Sequence, residues 1–236
     1  MTILGIAASV LLLGLIALLA YWQLVVAEGA YLGQWIVTLL YDWFAPRYDR
    51  VKQFDPAYDA MTLFVPIQEH LAGSDPLRIR ILDVATGTGR LPQALFAQPS
   101  FKGTIAAVDA SRRMLGVART NLAHVESGRS ELLVMDALHL QFADATFDVV
   151  TCLEALEFMP DARRAIFEMT RVLKPGGLLM FTNRIGSDAW KLPGRTQSTP
   201  SFAAELTARG LQSVVQQVWM TDYDLVTAKK STDVTS

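Results

Sequence analysis

The sequence is poor in the residues that cross-link or metallate a fold. Its 236 residues include a single cysteine, Cys152, which excludes an internal disulfide. With only three scattered histidines beside it, no structural zinc set can be assembled, and no metal site is expected. No basic block is present and the net charge is −2, so the electrostatic footprint of a nucleic-acid binder is missing. No internal repeat is visible. Charge is nearly absent from the head of the chain: between Met1 and Tyr41 the only charged side chain is Glu28. From Asp42 onward the mixture of charged and apolar residues is that of a globular domain.

The uncharged run "ILGIAASVLLLGLIALLAYWQLVVA", Ile3 to Ala27, is what the missing charge leaves. A helix needs roughly 20 apolar residues to cross a hydrocarbon core of ~30 Å, and this run exceeds that. Tyr21 and Trp22 stand near its end, where amphipathic rings favour the membrane interface. A cleaved signal peptide and a buried core helix are the competing readings. The first is disfavoured by the lack of Lys or Arg ahead of the run and by its length. Residues 1–28 are therefore read as a transmembrane anchor. Arg47, Arg50 and Lys52 follow the run and no side-chain cation precedes it. The positive-inside bias then gives a single-pass membrane protein whose body faces the cytoplasm. Residues 29–76 begin with "AYLGQWIVTLLYDWFAPRYD", apolar and aromatic, with about 13 uncharged residues, short for a second crossing. They are read as a helical region lying along the interface or forming a lid, with Pro46 ending the first helix. A second membrane segment stays open.

Between residues 77 and 230, short β-branched runs alternate with helical stretches. "RIRILDVA", "GTIAAVDA", "SELLVMDA", "FDVVTCLEAL" and "GGLLMFTNR" read as strands. "SRRMLGVARTNLAHV", with Ser111 as N-cap, "PDARRAIFEMTRVL" and "SFAAELTARG", closed by Gly210, read as helices between or after them. "LQSVVQQVWM" and "DYDLVTAKK" follow as two strands with almost nothing between them. The expectation is an α/β fold: a Rossmann-like, doubly wound, mostly parallel seven-stranded sheet closed by a C-terminal antiparallel hairpin. Its ligand crevice lies at the C-terminal strand ends. Residues 231–236 read as a polar tail. "SDAWKLPGRTQSTP" reads as a long loop in which Trp190 is a candidate cover for a substrate.

The chemistry concentrates in "ILDVATGTGRL", residues 81 to 91. A strand ends on an acid, Asp83, and bends through Gly87 and Gly89 into a helix. A turn without Cβ atoms lets a ligand approach the backbone, and the helix start offers free N–H groups and a positive dipole end. Asp109 closes the next strand, where a carboxylate can accept both hydroxyls of a ribose. A dinucleotide fingerprint would continue G-x-G-x-x-G/A, but Arg90, Leu91 and Pro92 follow Gly89. Asp83 before the glycines, Asp136–Ala137 after the third strand, "TFDVV" opening the fourth and "RVLKPGGLLMF" opening the fifth complete an ordered set.

In that set the sequence resembles the class I S-adenosylmethionine-dependent methyltransferases, in the group that includes the ubiquinone and menaquinone biosynthesis methyltransferases. The resemblance runs from about Tyr41 to Lys230. It implies S-adenosylmethionine as cofactor and methyl transfer as activity. It implies that Asp83, Ala85, Thr86, Gly87, Thr88 and Gly89 hold the methionine end. Asp109 would grip the ribose, and Ala110, Ser111 and Met114 would border the adenine. Asp136 and Ala137 would meet the adenine edge, with Leu153 and Glu154 flooring the site near the sulfonium. Ala85 stands where the family usually has the first glycine of D-x-G-x-G-x-G. "FAPRYDRV" is similar to the family's A-x-x-Y-D element, but "KQFDPAYDAM" beyond it lacks the asparagine, serine and histidine pattern of the quinone enzymes.

Transfer from a sulfonium needs positioning and exclusion of water, and a base only where the acceptor must lose a proton. Tyr48 and Glu154 are the candidate catalytic side chains, with Tyr58, His70 and Glu157 behind them. An anchored enzyme points to a lipophilic acceptor such as a quinone, an isoprenoid or a lipid head group, with the bilayer itself as partner. Two other functions fit the same sheet. One is a non-catalytic regulator that binds the cofactor. The other is an NAD(P)-dependent reductase, which needs a Tyr-x-x-x-Lys pair or an equivalent hydride-handling site; the expectation is that the sequence offers none.

Overall fold

The structure is a computed structural model that describes residues 3–196 and 199–232. Of the tail, only 231 and 232 fall within the described residues. Helix α1 (Ile3–Tyr21) continues through a π-helical turn, Trp22–Val26. Together they hold a 22-residue apolar stretch, Gly5–Val26, long and apolar enough to cross a membrane. Its most apolar window buries nothing against the rest of the chain, which removes the core-helix reading. The chain then reverses at Glu28 and Gly29, both with left-handed φ (48° and 76°). A Cβ on Gly29 would stand 2.7 Å from Ile36 Cγ2, so only glycine fits this reversal. Trp22 stacks on Tyr31 across it, with ring centroids 5.3 Å apart.

The expected helix after the reversal is α2 (Gln34–Phe44), and Pro46 ends it within a 3₁₀ turn, Ala45–Arg47. Its outer face exposes Trp35, Leu39 and Trp43 at i, i+4, i+8 spacing. Helices α3 (Tyr48–Lys52), α4 (Pro56–Asp59) and α5 (Val65–His70) lead to the sheet, with Asp55 capping α4 through its side chain.

The sheet has seven strands: β1 (Arg80–Val84), β2 (Thr104–Asp109), β3 (Ser130–Val134), β4 (Phe147–Cys152), β5 (Leu173–Arg184), β6 (Leu211–Met220) and β7 (Tyr223–Lys230). Their order is β3-β2-β1-β4-β5-β7-β6, and only the pairings made by β7 are antiparallel. This is the expected doubly wound sheet with its closing hairpin. The chain reverses its direction of travel between β1 and β4, which opens a crevice at their C-terminal ends. Between the strands lie α6 (Arg90–Phe96), α7 (Arg112–Asn121), α8 (Ala162–Val172), α9 (Gly186–Trp190) and α10 (Thr199–Ala208). Ser111 caps α7, its Oγ accepting from Met114 N, and Asp161 caps α8.

Central strands buried on both faces explain the apolar runs. Ile81, Leu82 and Val84 of β1 have no exposed surface, and each such burial stabilises by about 1.5–3 kcal/mol. One core packs β1 and β4 against α8 and α10, around Leu82, Val150, Ile166 and Phe202. The other packs the opposite sheet face against α5 and α6, around Ile67, Ile81 and Leu91. The reading of the Trp190 segment as loop is corrected: Gly186–Trp190 is a short helix, with Gly186 starting it at φ 68°. Trp190 is 74% exposed there and lines none of the cavities described below.

Candidate active site

The glycine turn between β1 and α6 is built from Asp83 outward. Asp83 is buried and accepts from Thr86 Oγ1 (2.6 Å) and Thr151 Oγ1 (2.7 Å). Burial is the first cause that lifts its carboxyl, to about 6, against those two hydrogen bonds. Ala85 has φ 55°, a left-handed conformation that costs an alanine about 1 kcal/mol relative to glycine. Its Cβ is thus carried under strain at the family's glycine position. Ala85→Gly is expected to raise the unfolding midpoint by about 2–4 °C, corresponding to about 1 kcal/mol, in a thermal melt. A lowered midpoint would refute the strain.

Gly87 N–H donates to Asp109 Oδ2 at 2.8 Å, and Ser111 N–H donates to Oδ1 at 2.8 Å. The two strand ends are thereby tied through one carboxylate. Desolvation raises the Asp109 carboxyl to about 6, with the backbone donors opposing. A Cβ at Gly87 would meet nothing within 4 Å, so the turn faces open space. That space is a crevice continuous with solvent. Val84, Ala85, Gly87, Val108–Ser111, Met114, Met135, Ala137 and Leu153–Glu154 line it from the sheet and the start of α7. Gln34, Val37, Thr38, Tyr41 and Tyr48 line it from the segment after the apolar helix. A smaller chamber of about 370 Å³ adjoins it, bounded by Asp83, Thr86, Thr88, Arg90 and Phe54, and the two share Tyr48, Ala85, Gly87, Leu153 and Glu154.

The structure therefore brings the expected residues into one place, with two exceptions. Gly89 lines neither chamber. Its left-handed φ of 85° starts α6, and a Cβ there would touch Ala118 at 3.4 Å, so it serves the packing of α6 on α7. Asp136 also stays outside both linings. Its Oδ1 accepts from Leu138 N–H (2.9 Å) and Gln34 Nε2 (3.2 Å) and its Oδ2 faces His139 Nδ1, so Met135 and Ala137 form that edge.

The two catalytic candidates are poor bases as placed. Glu154, at φ 52°, accepts from Arg90 Nη1 and Lys52 Nζ, both at 2.6 Å, and is engaged by two cations. The Tyr48 phenol is pushed up by desolvation and by the neighbouring Glu154, so it stays protonated and can act as a donor. Among the more distant candidates, Glu157 is buried, its carboxyl raised by burial, and it accepts from Tyr223 Oη at 2.6 Å. Tyr58 packs beside Trp219, and His70 closes α5 beside the core rather than the crevice. The expectation that the sequence holds no Tyr-x-x-x-Lys pair is corrected: Tyr48 and Lys52 stand at that spacing on α3. Lys52 Nζ lies 5.8 Å over the Tyr48 ring face and pairs with Glu154, which is not an arrangement that polarises the phenol.

Several site residues were not legible. Asp42 accepts from Ser111 Oγ and Arg113 N–H at the start of α7. Asp49 accepts from Thr88 Oγ1 and from Asn121 Nδ2 (2.9 Å). Asp49 belongs to the A-x-x-Y-D element noted above, which did not reveal its partners, and Asp42 carried no motif; the two clasps fasten α2 and α3 over the crevice. Among the described residues no cluster of metal-ligating side chains forms.

Residues 82–181 match the family model described as a methyltransferase domain. The match takes in β1 through β5 as far as Phe181, the part of the fold that carries the glycine turn and Asp109. The chain is 33% identical over 138 residues to demethylmenaquinone methyltransferases of Bacillus cereus and Bacillus anthracis, a match covering 55% of this chain and 58% of the relatives. The chain thus spans 58% of the length of the curated relatives it matches. Similar solved structures include the [4+2]-cyclase SpnF, with TM-score 0.68 and 21% identity over 85% of this chain and 97% of that one. Magnesium protoporphyrin IX methyltransferase from Synechocystis with bound S-adenosylmethionine gives TM-score 0.61 and 17% identity over 82% and 96%. These likenesses show the fold. The methyltransferase domain takes S-adenosylmethionine as cofactor, and the crevice meets its needs: an open glycine turn at Gly87, a ribose-sized acceptor at Asp109 and a buried acid at Asp83.

Proposed function

We propose that the chain transfers a methyl group from S-adenosylmethionine to a lipophilic acceptor held at a bilayer. In this reading Asp83 with the Ala85–Thr88 turn holds the methionine end, and Asp109 accepts the ribose hydroxyls. Ala110, Ser111 and Met114 border the adenine, Ala137 its edge, and Leu153 and Glu154 the floor. When bound, the cofactor supplies an activated methyl group on its sulfonium. The residues then orient it, and Tyr41, Tyr48 and the rest of α2–α3 exclude water from above. A residue that takes a proton is needed only for acceptors that must lose one.

The observation that supports a membrane acceptor is the roof itself. Gln34, Val37 and Tyr41 close the crevice from inside α2, while Trp35, Leu39 and Trp43 are exposed on the same helix. The helix is separated from the apolar span only by the Glu28–Gly33 reversal. We read 1–28 as a single-pass anchor, 29–76 as an interfacial lid, and the domain as facing the cytoplasm. The experiment is turnover of methyl-labelled S-adenosylmethionine by full-length protein in vesicles made from total lipid extract. Label should appear in the organic phase, and the same reaction with unlabelled cofactor should give a product 14 daltons heavier than its precursor. Label found only in the aqueous phase would refute a lipophilic acceptor.

A second reading has one observation in its favour: a protein similar in fold, at TM-score 0.68, is a [4+2]-cyclase rather than a methyltransferase. A cofactor-binding chain without methyl transfer would bind S-adenosylmethionine and yield no labelled product in any phase.

A further inference from the structure

Charge is sorted by direction across the roof of the crevice and the helix beside it. Between Gln34 and Lys52 and along α7 the acids are Asp42 and Asp49, and both turn inward. Asp42 accepts from Ser111 Oγ and Arg113 N–H, and Asp49 from Thr88 Oγ1 and Asn121 Nδ2. The bonds to Ser111, Arg113 and Asn121 hold the two ends of α7 alongside α2 and α3. The cations turn outward. Arg47 and Arg50 beside the roof, and Arg112, Arg113 and Arg119 on α7, are all exposed. Among the described residues none of these five stands in an ion pair, whereas Lys52, the remaining cation of the two segments, is committed to Glu154. A solvated surface ordinarily intersperses both signs. This one keeps its acids inside and leaves its arginines bare.

The same surface carries apolar side chains. Trp35, Leu39 and Trp43 are each more than half exposed along α2, and Val51 of α3 is 61% exposed. Arg47 stands 5.4 Å over the Trp43 ring, which joins a cation to the aromatic row. Helix α2 follows the apolar span after a reversal of only a few residues, so a bilayer that holds the span also lies beside this face. Indole rings favour the headgroup level of a membrane, and a guanidinium matches a phosphate through its planar fork. An acidic protein could also meet the arginines, but it would have to share the space next to the span with the bilayer.

We propose that α2, α3 and α7 present one face to acidic phospholipids of the leaflet beside the span. Trp35, Leu39 and Trp43 enter the headgroup region, and the arginines take lipid phosphates. The inner sides of α2 and α7 supply Gln34, Tyr41 and Met114 to the crevice, so docking fixes the roof and tightens cofactor binding. This rests on the reading of the apolar run as an anchor and is independent of which acceptor is methylated.

The test uses full-length protein with Leu39→Cys, labelled with the polarity-sensitive dye NBD. Cys152 is fully buried and takes no dye. The protein is placed in nanodiscs of phosphatidylcholine, with or without about 30% phosphatidylglycerol. Emission at position 39 should be about threefold higher in the acidic discs. Salt at about 0.5 M should remove the difference, because the Debye length then falls to a few ångström. The combined change Arg112→Gln, Arg113→Gln and Arg119→Gln should remove it too, with an unchanged thermal midpoint, since no ion pair is lost. Affinity for S-adenosylmethionine, measured by calorimetry on the same discs, should be about fivefold higher with phosphatidylglycerol. Protein that enters neither kind of disc overturns the anchor reading and the docking together. Protein that enters both with equally high emission shows rings inserting without the arginines, and overturns docking on acidic lipid while the anchor stands. Equally low emission that rises with added polyglutamate gives the face to an acidic protein instead, and without that rise leaves it in water; either result overturns the docking. Equal cofactor affinity in the two discs overturns the coupling to the crevice.

Discussion

Asp109→Asn is expected to weaken S-adenosylmethionine binding by about 30- to 100-fold while leaving the unliganded protein at least as stable. The carboxylate ties Gly87 N–H and Ser111 N–H, and asparagine can keep one of those bonds through its carbonyl oxygen. What it loses is the charge. Hydrogen bonds to a charged acceptor are worth about 1.5–3 kcal/mol against about 1 kcal/mol for neutral ones, so two ribose hydroxyls lose about 2–3 kcal/mol together. Stability moves the other way. Asp109 titrates at about 6 rather than 3.8 because its charge is desolvated. Between pH 4 and 6 the folded chain therefore binds more protons than the unfolded one. The group's stabilising contribution is complete below about pH 4 and is lost as pH rises through 6. At pH 7.5 the charge is a burden on the empty fold, and its removal should hold or raise the midpoint of a thermal melt. Cofactor affinity has the opposite slope, since the ribose acceptor must be ionised. Calorimetry should show affinity falling about tenfold from pH 7 to pH 5 in the parent protein. The slope should be flatter in Asp109→Asn, with the remainder due to Asp83, which burial also lifts to about 6. Affinity unchanged by the substitution and flat with pH would remove Asp109 from the site.

Much of this architecture was legible because it depends on local chemistry. The apolar strand ending on Asp83, the glycine turn and the Ser111 cap are each set by neighbours a few residues away, and each stands where its sequence pattern put it. The hairpin of β6 and β7 was visible in the near-absence of residues between two strand-like runs. What could not be read depends on partners far along the chain. Asp42 reaches Ser111 and Asp49 reaches Thr88, separations that a sequence pattern does not encode. Strand β5 begins at Leu173, before the double glycine, because a register shift between Phe147 and Val149 lets Leu173 pair with Phe147 ahead of it. Gly89 and Asp136 sit at motif positions, yet helix packing and the Leu138 turn account for their geometry here. A motif gives the backbone path; which way a side chain turns is settled by what is packed against it.

Arg90 is the side chain whose importance was least visible, and Arg90→Met is expected to cause the largest loss of stability. It directly follows Gly89, at a position the glycine pattern leaves unrestricted, and it is 9% exposed. Its Nε and Nη2 grip Asp59 at 2.9 and 2.6 Å, and Nη1 reaches Glu154 at 2.6 Å. The guanidinium lies 4.4 Å from the Phe54 ring centroid and 4.7 Å from that of Trp219, so α4, the glycine turn, the β4 end and β6 converge on one cation. Removing the cation alone leaves Asp59, 3% exposed, buried without its countercharge. Breaking a buried pair in this way costs about 3–5 kcal/mol, which is about 10 °C in a melt for a chain of this size. The double change Arg90→Met with Asp59→Leu should recover most of the loss, since well-packed apolar replacements of buried ion pairs are often neutral. Arg90→Lys should not, because an ammonium cannot hold Asp59 with two parallel bonds while also reaching Glu154. A midpoint lowered by less than about 2 °C in Arg90→Met would mean that water already solvates Asp59 and that the convergence is not structural. The same variant frees Glu154 from one of its two cations, leaving Lys52, and so loosens the floor shared by both cavities. Cofactor affinity in Arg90→Met should therefore fall less than in Asp109→Asn, because the ribose side is built by β2 and α7, which do not touch this network.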